Sequence, residues 1–229
     1  MKSLDVLQSL DHLIHSRSIL LHPFYIAWQR GELTRDQLSV YATVYYPHVE
    51  SFPRYLESAI RHAGDPVVGT ELQHNLTDEI SHPKAHNELW LDFAEEFGLD
   101  RSAVASATPH AAARNIVSTF DRLTAGNSGG ALAALYAYES QQPEVSRRKA
   151  DGLRQYYGVE SARSIAYFEV HAETDIRHRD GERDALRRCL EAGSSPEIVL
   201  DSADQALNAY WGLLDGICED AGLTSTCLS

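Results

Sequence analysis

His171, Asp175 and His178 fall within the segment FEVHAETDIRH, residues 168–178. Their spacing, i, i+4 and i+7, puts three side chains that can ligate a metal on one face of an α-helix. Turned inward, that stripe is costly to desolvate unless something pairs with it. The competing reading is a solvated face, because Glu169, Glu173, Arg177 and Arg179 are close by in the chain. A second candidate is DEISHPKAH, residues 78–86. On a continuous helix Glu79 and His86 stand two turns apart, roughly 10 Å along the axis. That is too far for one ion, but suits the two flanks of a metal pair roughly 3.5–4 Å apart. Alone, the segment also reads as exposed acids beside a surface histidine. The third candidate is Glu139, in the apolar run ALYAYES. A carboxylate in such a run is either paired and buried or placed on an exposed stripe at the helix end.

Together the three segments offer three carboxylates and three imidazoles. That is the ligand balance of bundle-core di-iron and di-manganese carboxylate proteins. The spacings are Glu-x6-His and His-x3-Asp-x2-His rather than Glu-x-x-His, which points to a helical fold other than the ferritin-like one. Oxygen and nitrogen ligands without thiolate favour iron or manganese over structural zinc, and do not choose between them.

These residues need helices to position them, and the periodicity is helical nearly throughout. Leu4, Leu7, Leu10, Leu13 and Ile14 form one stripe. Thr34 with Gln37 reads as a capping box, opening a helix with Leu38, Tyr41, Tyr45, Val49 and Phe52 on one side. Pro47 and Pro53 should kink or break it. One helix is expected from about 66 to 97, bent near Pro83 and ended by Gly98. Thr108-Pro109 reads as the start of the next. Residues 125–130, AGNSGG, read as a loop. Helices are then expected over 131–142, from Pro143 to near Gly158, over 161–190 and over 197–220. No strand pattern of useful length appears. The expectation is an all-α bundle of seven to nine helices forming one domain over residues 1–229.

The chain has 229 residues, 43% hydrophobic and 23% charged, which is ordinary globular composition. Its formal net charge of −13 and its lack of a Lys/Arg run argue against nucleic acid and anionic membranes as partners. No apolar stretch is long enough for a transmembrane helix, and the N-terminus makes a poor signal peptide. Cys189, Cys218 and Cys227 are widely spaced and indicate neither a zinc knuckle nor a disulfide framework. A reducing cytoplasm is the expected compartment. A homodimer is the base-rate expectation for assembly.

At the segments FYIAWQRGELTRDQLSVYA, VYYPHVESFPRYL, ALYAYESQQP and YFEVHAETDIRH, and at the Glu79/His86 element, the chain resembles the heme-oxygenase-like dimetal oxidases. Within them it is similar to the group of the Chlamydia protein associating with death domains. The resemblance spans nearly the whole chain and implies a heme-oxygenase-like helical bundle. It also implies a self-sacrificing para-aminobenzoate synthase that feeds folate synthesis and requires two transition-metal ions, dioxygen and an external reductant. Under it, Glu79, His86, Glu139, His171, Asp175 and His178 are the ligands. Tyr25 matches the tyrosine that gives the carbon skeleton, and Lys149 the lysine that gives the nitrogen. Tyr41 matches a tyrosine near the site, with radical relay as its implied role. Without the resemblance, Tyr25 and Tyr41 read as core aromatics and Lys149 as a surface lysine. The rival enzyme is a related dimetal oxidase acting on a diffusible amino acid or fatty acid. A thiaminase-like hydrolase ranks below it, because that chemistry needs a cysteine nucleophile beside a base. The rival outside catalysis is a death-domain-binding protein, for which no apolar surface cluster can be assigned.

Overall fold

A computed structural model describes residues 2–81 and 84–223. Pro83 and Cys227 lie outside the described residues. Every regular element among the described residues is a helix. There are eleven α-helical segments: α1 (Ser3–Ser16), α2 (Pro23–Arg30), α3 (Arg35–Arg61), α4 (Pro66–Ser81), α5 (His86–Glu95), α6 (Arg101–Ser106), α7 (Ala111–Thr124), α8 (Ser128–Glu139), α9 (Gln142–Tyr156), α10 (Ala162–Glu191) and α11 (Pro196–Asp220). Nine of these run ten residues or more, and α2 and α6 are shorter. A 3₁₀ turn at Ile19–Leu21 links α1 to α2.

Local chemistry sets most of the boundaries. The Thr34 hydroxyl accepts from the Gln37 N–H at 3.2 Å, and Gln37 Oε1 accepts from the Thr34 N–H at 2.9 Å, so the capping box forms. Pro47 and Pro53 do not break α3, which runs 27 residues through both. Tyr41, Tyr45, Val49 and Phe52 are buried along it, and this packing offsets the backbone hydrogen bonds the prolines cannot make.

Three other boundaries differ from expectation. α7 is capped by His110, whose Nδ1 accepts from the Ala112 N–H, and not by Thr108. α8 starts at Ser128, within the expected loop, because Asn127 Oδ1 accepts from the Gly130 N–H at 2.9 Å. The two glycines there serve close packing and not a turn: a Cβ at Gly129 would lie 2.9 Å from the Ser194 side chain, and one at Gly130 2.8 Å from Ser202 Oγ. In α1, Leu7, Leu10 and Ile14 are buried, but Leu4 is 59% exposed and leaves the stripe.

The apolar side chains form one connected core. α8 lies at its centre, buried at every position from Gly129 to Glu139, as a helix apolar on all sides should be. α11 and α7 cover one side of α8, and α10 packs against α4, α5, α8 and α9. α3 packs against α4, α5 and α7. No helix among the described residues is long and apolar enough to cross a membrane. Cys189 is a buried free thiol.

Candidate metal centre and buried tyrosine cluster

All six candidate ligands are buried, none more than 5% exposed. They come from α4, α5, α8 and α10 and fall into two groups. Glu79, His86 and His171 each present one ligand atom, and these atoms lie within 4.8 Å of one another. Glu79 Oε1 is 2.8 Å from His86 Nδ1 and 3.9 Å from His171 Nε2. In the second group, His178 Nδ1 is 3.3 Å from Asp175 Oδ1 and 3.8 Å from Glu139 Oε1.

The first group corrects the two-turn expectation for Glu79 and His86. α4 stops at Ser81 and α5 starts at His86, so the two residues stand at facing helix ends. The break brings them into one half-site, where a continuous helix would have held them roughly 10 Å apart. On α10 the i, i+4, i+7 spacing does put His171, Asp175 and His178 on one buried face.

Both α10 imidazoles are held in a fixed orientation. His171 Nδ1 lies 2.7 Å from the Tyr167 carbonyl oxygen, so its N–H donates there and Nε2 faces Glu79. His178 Nε2 lies 3.0 Å from Asp78 Oδ2, leaving Nδ1 for the interior. A carbonyl or carboxylate behind an imidazole is the usual support of a metal-ligating histidine. Burial pushes His171 down to about 3, so its ring is neutral. Burial raises Glu139 to about 7 and Asp175 to about 6. Burial pulls His178 down, but Asp175, Glu139 and Asp78 outweigh it and bring the ring to about 10.

The donor set fits a metal centre. His86 Nε2, Asp175 Oδ2 and His178 Nδ1 are buried and make no hydrogen bond. Buried polar atoms are normally satisfied, so orphans on three residues of the candidate set fit the binding of a cation. Between the two groups and the side chains of Val49, Phe52, Tyr138 and Tyr167 lies a cavity of only about 10 Å³, near the minimum that admits one water.

Tyr25, Tyr41 and Lys149 also come together. Lys149 is 3% exposed and is not the surface lysine its type suggests. Its Nζ donates to the Tyr41 hydroxyl at 2.8 Å and lies 4.8 Å from the centre of the Tyr25 ring. The Tyr25 and Tyr41 hydroxyls are 3.2 Å apart. Rings of Tyr41, Tyr45 and Phe168 complete the wall around the amine. Burial lowers the Lys149 pKa well below the usual lysine value, so the amine tends toward its neutral, nucleophilic form. Gly152, one turn on along α9, allows the approach: a Cβ there would lie 2.8 Å from Trp28 Cδ1. Rings link the two clusters, with centroids 5.4 Å apart for Tyr41–Trp90, 4.8 Å for Trp90–Tyr167 and 4.1 Å for Tyr167–His171.

Sequence reasoning missed Asp78, Asn75 and Glu182. Asp78 reads in sequence as an ordinary acid, yet its carboxylate lies 3.0 Å from His178 Nε2. Asn75, fully buried, donates from Nδ2 toward Glu139 Oε2 at 3.4 Å and Glu182 Oε1 at 3.5 Å. Glu182 continues the α10 stripe four residues past His178, and that signal was present in the spacing.

Comparison with known proteins agrees with this architecture. Residues 39–211 match the family described as iron-containing redox enzymes. The chain is 37% identical to a 4-aminobenzoate synthase of Chlamydia muridarum over 96% of its own length and 92% of the relative's. Among solved structures, a Shewanella denitrificans domain of unknown function with a heme oxygenase-like fold superposes with a TM-score of 0.79 at 17% identity, covering 99% of this chain and 96% of that one. A CADD-like protein of unknown function from Nostoc punctiforme gives 0.75 at 21% identity, covering 96% and 98%. The fold and the motif resemblance agree with one another, and the chain belongs to the iron-containing redox enzymes, in the group that includes the curated 4-aminobenzoate synthases.

Proposed function

We propose that this chain makes 4-aminobenzoate from its own Tyr25 ring, with nitrogen from Lys149 and oxidising power from a metal pair held by Glu79, His86, Glu139, His171, Asp175 and His178. The observation that carries the reading is the Lys149 amine, buried in an aromatic box and hydrogen-bonded to Tyr41, over the Tyr25 ring. The product is a ring with one carbon para to nitrogen. A tyrosine side chain is a ring with one carbon para to oxygen. The conversion requires Cα–Cβ cleavage, oxidation of Cβ to a carboxylate and exchange of oxygen for nitrogen. Loaded with iron, manganese or one of each, the centre would supply oxidising equivalents from dioxygen and an external reductant.

The residues of the chain do the rest. The aromatic box excludes water from the amine and holds it against the ring it is to modify, so the encounter is already intramolecular. Tyr41 hydrogen-bonds both partners and gives the Tyr25 hydroxyl a neighbour for its proton. A diffusible substrate is the second reading. The small cavity beside the ligands weighs against it, because a ring-sized ligand does not fit in about 10 Å³.

Lys149→Met tests the assignment. Methionine keeps the length and apolar volume of the buried stem and stays neutral. Arginine would force an obligate charge into the box. The variant should load metal and melt as the parent does, or slightly higher, yet give no 4-aminobenzoate on exposure to ferrous iron, reductant and oxygen. Product at the parental yield removes Lys149 from the reaction.

A further inference from the structure

Glu182 is a fully buried carboxylate at this site to which neither the ligand motif nor the proposed chemistry gives a role. It is 0% exposed and sits on α10, four residues after His178 and seven after Asp175. That spacing puts it on the same buried face as the ligand triplet. The Asn75 amide, at 3.4 Å and 3.5 Å, ties it to Glu139 on α8. Its other oxygen, Oε2, makes no hydrogen bond, and neither does Asn75 Oδ1. Burial weighs most on it, followed by the neighbouring carboxylates Glu139, Asp175 and Glu71. An ionised carboxylate buried this way is costly unless a cation faces it.

Charge points the same way. Two divalent ions carry four positive charges. Glu79, Glu139 and Asp175 supply three negative ones, and the imidazoles bind as neutral rings. A fourth carboxylate brings the buried centre to neutrality and removes the penalty of a desolvated net charge. We infer that Glu182 is a fourth carboxylate of the metal centre, acting beside Glu139 in the half-site formed with Asp175 and His178. The inference rests on the two-metal reading above.

Anaerobic titration with Mn(II) alone tests it, read by bound metal per chain, by the electron paramagnetic resonance of the bound pair, and by the melting temperature with and without metal. The parent chain should bind two ions. Glu182→Gln, isosteric and uncharged, should keep the ion at Glu79, His86 and His171 and bind the other at least tenfold more weakly. The exchange-coupled signal of the pair should be lost. The metal-free variant should melt no lower than the parent, because the amide has the size and shape of the carboxyl group and is neutral. Glu182→Asp, which restores the charge one methylene short, should recover part of the affinity. Two ions bound to Glu182→Gln with parental affinity overturn the inference. So does a lower metal-free melting temperature with the coupled signal intact, which would make Glu182 a structural residue. A parent chain that binds no second ion fails the underlying reading instead, and is told apart because the parent alone reveals it.

Discussion

Glu79 and His86 illustrate how far residue types alone can be read. Their chemistry was visible in DEISHPKAH, but their grouping was not. The helix break between Ser81 and His86 brings them into one group, where the sequence pattern pointed only to a bend near Pro83. Asp78, behind His178, was hidden for the opposite reason: it reads as an ordinary acid until the fold places an imidazole against it.

The protonation states at this scale yield a prediction. Without metal, Glu139 holds a proton up to about pH 7, Asp175 up to about 6 and His178 up to about 10. All three lie above their ordinary values. The stability they lend the metal-free fold is therefore present at low pH and lost as pH rises through those values. A cation needs the same atoms deprotonated. Metal affinity should rise from about pH 6 to about pH 10, with roughly one to two protons released per chain near neutrality. Titration calorimetry in buffers of different protonation enthalpy measures the release. A pH-independent affinity with no release contradicts the assignment of these three residues.

The helices were easier to read than their ends. α9, α10 and α11 fall close to their expected spans and α3 starts where its cap at Thr34 placed it, because apolar periodicity and caps are local signals. The start of α8 was misplaced because Gly129 and Gly130 serve packing against α11, and composition cannot separate that from a loop. α5 is held in place by Asp92, 5% exposed, which accepts from Lys84 at 2.8 Å, Arg101 at 2.6 Å and Arg163 at 2.8 Å. These cations come from the segment before α5, from α6 and from α10, so one carboxylate fixes the helix that starts with His86. Asp92→Asn should cost about 1–2 kcal/mol, at the low end because Lys84 and Arg163 are themselves well exposed. That corresponds to a loss of roughly 2–8 °C in melting temperature. Asp92 is depressed to about 2 by these partners, against its own burial. Its contribution is present above the ordinary value of 3.8 and lost as pH falls toward 2. The gap between parent and variant should therefore close on acidification. Equal melting temperatures at neutral pH would make the ion cluster ornamental.

For the molecule as a whole, the all-helical class followed from a period that holds along the chain, and the family from motifs spread over most of it. The ligand types were legible because three carboxylates and three imidazoles are conspicuous in apolar or helical surroundings. The enclosure of Lys149 was not, because a lysine on a helix is almost always solvated, and only packing of α2, α3, α9 and α10 makes this one an exception. That enclosure couples the two clusters in one core: the amine, the ring and the candidate ligands are all buried, and the cavity lined by Glu79, Glu139, His171 and Asp175 holds only about 10 Å³. On the proposed reading, each chain reacts once. The most direct measurement starts from chain made with ring-labelled tyrosine, metal-loaded and exposed to oxygen and reductant in unlabelled buffer. The 4-aminobenzoate formed should carry the label at no more than one molecule per chain, and peptide mass spectrometry should show loss of the side chain at Tyr25 and at none of the other ten of the eleven tyrosines. Unlabelled product, product beyond one per chain, or an intact Tyr25 in protein that has turned over would contradict the account.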